Sequence, residues 1–197
     1  MSVALVVLIV AVALPFFWAV GAYNRLAGLR GTVRDAYAQM DRQIKRRHLL
    51  AATLIGAVKN SMEDDPALLE TVGSARSRAV NVNQTISPIP SGMEAMVGIA
   101  QAEAELSDAL RRLLAFASAH DALKADTDVM RLVADLAEID GSIGIAGLGY
   151  NASAMLYNTG LDEAPARYIG ILFRFTPAPL LPTSGSLQPH GIGAAAE

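Results

Sequence analysis

At 197 residues the chain has room for one domain and an anchor, but not for two ordinary domains. Hydrophobic residues make up 52% and charged residues 18%, below the usual quarter or so, which marks a chain partly embedded in membrane or unusually rich in Ala and Leu. A formal net charge of -3 gives no pull toward nucleic acid, and the lack of cysteine excludes thiol catalysis, disulfides and cysteine metal sites.

Val3 to Ala22 is a run of 20 uncharged residues, VALVVLIVAVALPFFWAVGA. At about 1.5 Å per residue, such a helix crosses the roughly 30 Å of a bilayer core. Pro15 is tolerable inside a membrane helix, and Phe16, Phe17, Trp18 and Tyr23 gather at the far end as interfacial aromatics do. The competing reading is a cleaved signal peptide, which would make the body an exported signalling or ligand-binding bundle. Gly21 and Ala22 suit a cleavage site, whereas the missing basic n-region and the length of the run favour an anchor. Residues 1–22 hold no Lys or Arg and residues 23–47 hold seven, so the body is expected on the cytoplasmic side of a bacterial inner membrane, with the N-terminus outside. Arg25 and Arg30 are within reach of lipid headgroups.

Beyond the apolar run, Leu26, Leu29, Val33, Tyr37, Met40, Ile44, Ala51, Leu54, Val58 and Met62 recur at threes and fours, with His48 in the one gap. This is a helical seam. No proline interrupts residues 16–65, so the apolar run and the first bundle helix are predicted to form one rod of about 60 residues, roughly 90 Å long, softest at Gly28 and Gly31. Asp65 and Pro66 open a second helix, about 66–84, which ends in the breaker-rich ISPIPSG of residues 86–92. Ser91 is the expected cap of a third helix, about 93–119, carrying Met96, Ile99, Ala100, Leu106, Leu110, Leu113 and Phe116. After a polar joint, Asp126 or Thr127 caps a fourth, about 128–161. The predicted fold is all-α: an N-terminal transmembrane helix (1–22) continuing into an antiparallel four-helix bundle (23–162). A short aromatic, proline-rich segment (163–182) and a disordered tail (183–197) complete the chain.

Motifs for chemistry are scarce. His48, His120 and His190 are scattered, and there is no HExxH, no GxxxxGK loop and no GxSxG elbow, so no catalytic residue, cofactor or metal site is assigned. Carboxylates such as Glu63, Asp64, Asp65 and Glu103, Glu105, Asp108 read as helix ends and solvent faces. Lys45, Arg46, Arg47 and His48 form the densest charge feature, a candidate docking patch for an acidic partner; the blander reading is a solvated face with Lys45 and Arg46 outward and His48 snorkelling. Gly141 to Leu161 is 21 residues without a charge. Its Ser, Asn and Thr content argues against a second span. Gly141, Gly144, Gly147 and Gly149 cost on the order of 1 kcal/mol each in a helix, which implies close packing, within the bundle or between copies.

Several segments together carry a family resemblance. YNRLAGLR (23–30), QIKRRHLL (43–50), LSDALRRLLAFASAHDALKAD (106–126), YNASAMLYN (150–158) and the terminal FRFTPAPLL are similar to stretches of the LemA family of bacterial membrane proteins, where the last reads FGFKPAP. The resemblance implies one N-terminal membrane helix, a cytoplasmic helical bundle and no agreed enzymatic reaction; members are linked loosely to envelope maintenance, protease neighbours and membrane organelle biogenesis. This chain departs from the pattern at Leu49 and Ala52, and in the glycine-rich run. Tyr150, Asn151, Tyr157 and Asn158 match the family's repeated YN, and their seven-residue spacing returns to one helix face, as polar pins between helices would. The expected function is a non-catalytic membrane scaffold or adaptor whose partners are membrane lipid, further copies of itself and a protein of unknown identity. The alternative is a small-molecule or lipid-acting enzyme with a pocket near His48.

Overall fold

The computed structural model of the protein describes residues 3–62, 65–85 and 92–182. Among these every regular element is helical: α1 Val3–Val58, α2 Pro66–Thr85, α3 Met93–Ala119, α4 Asp121–Ala125, α5 Thr127–Asp162 and α6 Ala166–Leu172. The fold is all-α, as expected. The apolar run and the first bundle helix form one continuous α1 of 56 residues, Pro15 included, about 84 Å long. It ends in a 3-10 turn at Lys59–Ser61.

The caps explain the boundaries. Asp65 Oδ1 accepts from the Leu68 amide at 3.2 Å, starting α2 at Pro66. Asp126, of the two candidates, caps α5, its Oδ1 accepting from the Asp128 and Val129 amides at 2.9 and 3.2 Å. Ser91, the expected cap of α3, lies outside the described residues, as do Glu63, Asp64, His190 and the tail 183–197; Gly92 occupies the N-cap position. Two short helices went unread in the sequence: α4 in the polar joint and α6 at the start of the C-terminal segment.

The core has two parts. At the end remote from the apolar run, Ala51, Leu54 and Val58 of α1 join Val72 and Ala79 of α2, Leu106, Leu110 and Leu113 of α3, Leu123 of α4 and Val129, Leu132 and Leu136 of α5. Nearer the apolar run, α2 reaches only with Val82 of its last turns, and α3 contributes its first turns, Met96 and Ile99. There Leu26, Val33, Tyr37, Met40 and Ile44 of α1 face Tyr150, Ala154, Tyr157 and Leu161 of α5. Two helices alone leave an open groove along each side. It is covered by Ala166 and Ile169 of α6 and by Phe175, Ala178, Leu180 and Leu181, a proline-restricted segment without helix or strand. At Gly160 the two helices are close: a Cβ there would meet the end of the Leu29 side chain, Cδ1, at 2.9 Å.

Candidate functional site: a buried charged layer and a pinned C-terminal strap

Between the two cores lies a polar layer. Ile44, Arg47, His48 and Ala51 follow the helical spacing of three, four and seven, so all four face inward and all are buried. The sequence-level docking patch is therefore divided. Lys45 and Arg46 point to solvent, Lys45 pairing with Asp41 at 2.6 Å, while Arg47 and His48 are only 4% and 5% exposed and cannot present a docking surface. Nor does His48 snorkel.

Their partner is Glu103, which corrects its reading as a solvent-face carboxylate. It occupies the inward position of α3 between Ile99 and Leu106, and its side chain is 12% exposed. Its Oε2 takes an Arg47 amino group, and its Oε1 accepts from Asn83 Nδ2 at 3.0 Å and meets His48 Nε2 at 2.8 Å. Arg47 also donates to Asp140 Oδ1 at 3.0 Å, Ser107 Oγ at 2.9 Å and the Glu103 carbonyl at 3.3 Å. From α2, Arg76 Nε donates to the His48 carbonyl at 2.7 Å. The layer thus ties α1, α2, α3 and α5 together. Only Arg47 Nε is buried without a hydrogen-bond partner among the described side-chain atoms.

A cleft of about 310 Å³ opens beside this layer, with Arg47, Glu103, Gly144, Gly147, Asn151 and Leu181 among its lining residues. His48 is not on its wall. Among the described residues no three His, Asp or Glu converge as a metal site requires. His120 stands apart, stacked on Phe116 at 3.7 Å between ring centres.

The family-patterned tyrosines and asparagines do act as pins, but not between helices. They hold the C-terminal strap, residues 175–182, against α5. Asn158 exchanges two hydrogen bonds with the Ala178 backbone, Nδ2 to its carbonyl at 2.9 Å and Oδ1 from its amide at 2.8 Å. Asn151 does the same at Leu181, at 3.2 and 2.8 Å. Tyr157 donates to the Thr176 carbonyl at 3.0 Å and Tyr150 to the Pro179 carbonyl at 2.6 Å. The repeat is a matter of length. Seven residues of helix rise about 10.5 Å, and three residues of proline-restricted chain cover about 9.3 Å, so each YN pair meets the same register one strap turn later. Prolines 177, 179 and 182 lack an N–H, and both paired amides belong to other residues.

Burial raises the Tyr150 phenol from 10.0 to about 12 and also raises that of Tyr157. Tyr37, edge-on to Tyr150 at 5.8 Å, is raised to about 12 by burial, with Asp41, Tyr150 and Glu103 adding to it. All three phenols therefore stay neutral and able to donate through the physiological range.

The glycine run departs from its reading as a seam within the bundle. A Cβ at Gly141, Gly144 or Gly149 would meet nothing within 4 Å, and one at Gly147 would meet the strap's Leu181 Cδ1 at 3.4 Å. Gly141, Gly144, Ile145, Leu148, Met155 and Leu156 instead share an outward face of α5.

Fold and site together define an all-helical protein with one N-terminal helix long and apolar enough to cross a membrane, and a bundle stapled by a polar layer and a C-terminal strap. The chain belongs to the LemA family, whose model matches residues 36–189. No curated protein matches it.

Proposed function

We propose that this protein is a membrane-anchored, non-catalytic scaffold that self-associates and organises partners at the cytoplasmic face of a bacterial inner membrane. The basic excess that follows the apolar run supports the orientation, with seven Lys and Arg in residues 23–47 against none in residues 1–22. Self-association rests on one observation. The outward face of α5 is uncharged from Gly141 to Leu161 and carries Ile145 (75% exposed), Leu148 (70%), Met155 and Leu156 beside unfilled glycines. Contiguous apolar surface of this kind on a folded body marks an interaction site.

The test is mass photometry of the full-length protein in mild detergent, with Ile145→Glu and Leu148→Glu as variants. A defined oligomer that dissociates in the variants supports the reading; a wild-type monomer, or an oligomer indifferent to both substitutions, defeats self-association. Co-purification from native membranes then identifies any stoichiometric partner.

The alternative, a small-molecule activity in the bundle, draws on the cleft beside Arg47 and Glu103. Since His48 is not on the wall of that cleft, Glu103 is its best catalytic candidate, and full complementation of a deletion phenotype by Glu103→Gln would remove it.

A further inference from the structure

The short helix α6 is apolar on both faces. Ala166, Ile169 and Gly170 turn inward and are buried against the bundle, while Tyr168 (68% exposed), Ile171 (71%), Leu172 (72%) and the following Phe173 turn outward. A helix apolar all round is normally covered all round, and here the chain covers only one side. The position of α6 identifies the missing cover. It lies alongside the last two turns of the apolar run of α1, where Phe16, Val20 and Tyr23 join Ile169, Leu172 and Phe173 around an apolar groove of about 360 Å³. Tyr23 packs on Phe173 and Phe175, with ring centres 4.9 and 5.7 Å away.

The surroundings have the composition of a membrane–water boundary. Phe16 and Tyr23 of α1 meet Phe173, the residue after α6, around this groove, and Phe17 and Trp18 of α1 and Tyr168 of α6 are exposed nearby in sequence, an aromatic content like that of interfacial belts. Long cationic side chains flank them: Arg167 and Arg174 on either end of the outward face, Arg30 over the Phe175 ring at 5.7 Å, and Arg25 paired with Glu163 at 3.1 Å. Such side chains can lay their stems along apolar surface and keep their charge among headgroups.

We propose that α6 is a second membrane contact, an interfacial foot whose outward face, Tyr168, Ile171, Leu172 and Phe173, lies in the boundary between headgroups and acyl chains of the leaflet from which α1 emerges. The occupant of the face is lipid. The foot rests on the reading of α1 as a membrane span, and it adds that the bundle sits down on the bilayer instead of standing clear of it on a stalk. The strap begins where the foot ends. Phe175 N donates to Gly170 O at 2.9 Å around Arg174, whose φ is 53°, and this turn sends the chain from the foot back along α1 and α5.

The chain's lack of cysteine and its single tryptophan make the test direct. Full-length protein carrying Leu172→Cys, Tyr168→Cys or, at the remote end of the bundle, Asp121→Cys is labelled with an environment-sensitive fluorophore and reconstituted into vesicles whose lipids are brominated near the headgroups. The proposal expects the labels at 172 and 168 to lose fluorescence to an extent comparable with Trp18, and the label at 121 to keep it. Quenching of Trp18 with unquenched labels at 172 and 168 overturns the foot and leaves the span standing. An unquenched Trp18 overturns the span, and the foot falls with it.

Discussion

Away from the apolar run, α1 is wrapped by α2, α3, α4 and α5, and the cluster from Ala51 to Ile139 closes with hydrocarbon alone. Toward the apolar run, α1 and α5 continue as a pair, and the groove between them is closed by a chain segment held through side-chain to backbone hydrogen bonds at Tyr150, Asn151, Tyr157 and Asn158. Helices that supply enough apolar surface need no polar specification. Where they run out, a proline-rich strap can replace them, but its backbone groups then need partners, and α5 supplies them at a fixed repeat.

The contrast makes the charged layer between the halves the most sensitive point. Glu103→Ala leaves Arg47 and His48 without their shared acceptor, and although Arg47 keeps Asp140 and Ser107, the lost charge-assisted hydrogen bonds cost about 1–3 kcal/mol. Denaturant titration in detergent should show this loss as a lower midpoint; an unchanged midpoint would mean that the layer carries no net stability. Next come the pins. Asn151→Ala and Asn158→Ala each unpair a backbone amide and carbonyl of the strap, at about 1–3 kcal/mol apiece. Hydrogen exchange should accelerate at the Ala178 and Leu181 amides while the α2–α3 end of the bundle keeps its protection. Equal loss at both ends would dissolve the distinction between them.

Glycine substitutions separate a tight contact from an open face. Gly160→Ala brings its Cβ onto the movable end of the Leu29 side chain, and this contact offsets the helix-propensity gain, for a net change below about 1 kcal/mol. Gly144→Ala meets open space in the isolated chain and should stabilise by up to about 1 kcal/mol. Thermal melts should therefore rise more for Gly144→Ala than for Gly160→Ala, and equal shifts would mean that Leu29 moves aside at no cost. The smallest effect is alkaline. Tyr150's pKa is raised from 10.0 to about 12, so its contribution is intact below pH 10 and lost as pH climbs through 12. Exchange at the strap should quicken within that window, and Tyr150→Phe should lose this component.

The helical fold was legible because apolar residues at threes and fours, proline positions and capping aspartates act locally. The charged layer was half legible. The seam of α1 shows a gap at His48, and that of α3, running Met96, Ile99, Leu106, Leu110 and Leu113, shows one at Glu103. Both interrupt an inward stripe, and an imidazole and a carboxylate at two such gaps are a pairing signal. The pins were visible as a repeat, but their partner was not, since a helical face does not say what lies on it. Arg174 shows the limit from the other side. The family pattern FGFKPAP has glycine at this position, and the left-handed backbone at φ 53° explains why, while this chain holds an arginine there.

The apolar run and the bundle half of α1 are one unbroken helix. Residues 23–58 extend about 54 Å beyond the apolar run as one rigid arm, so a change of 10° or so in helix tilt sweeps the remote end of the bundle through roughly 9 Å. The orientation of the apolar run is in this way passed along a single helix to the end of the bundle where α2, α3 and α4 pack.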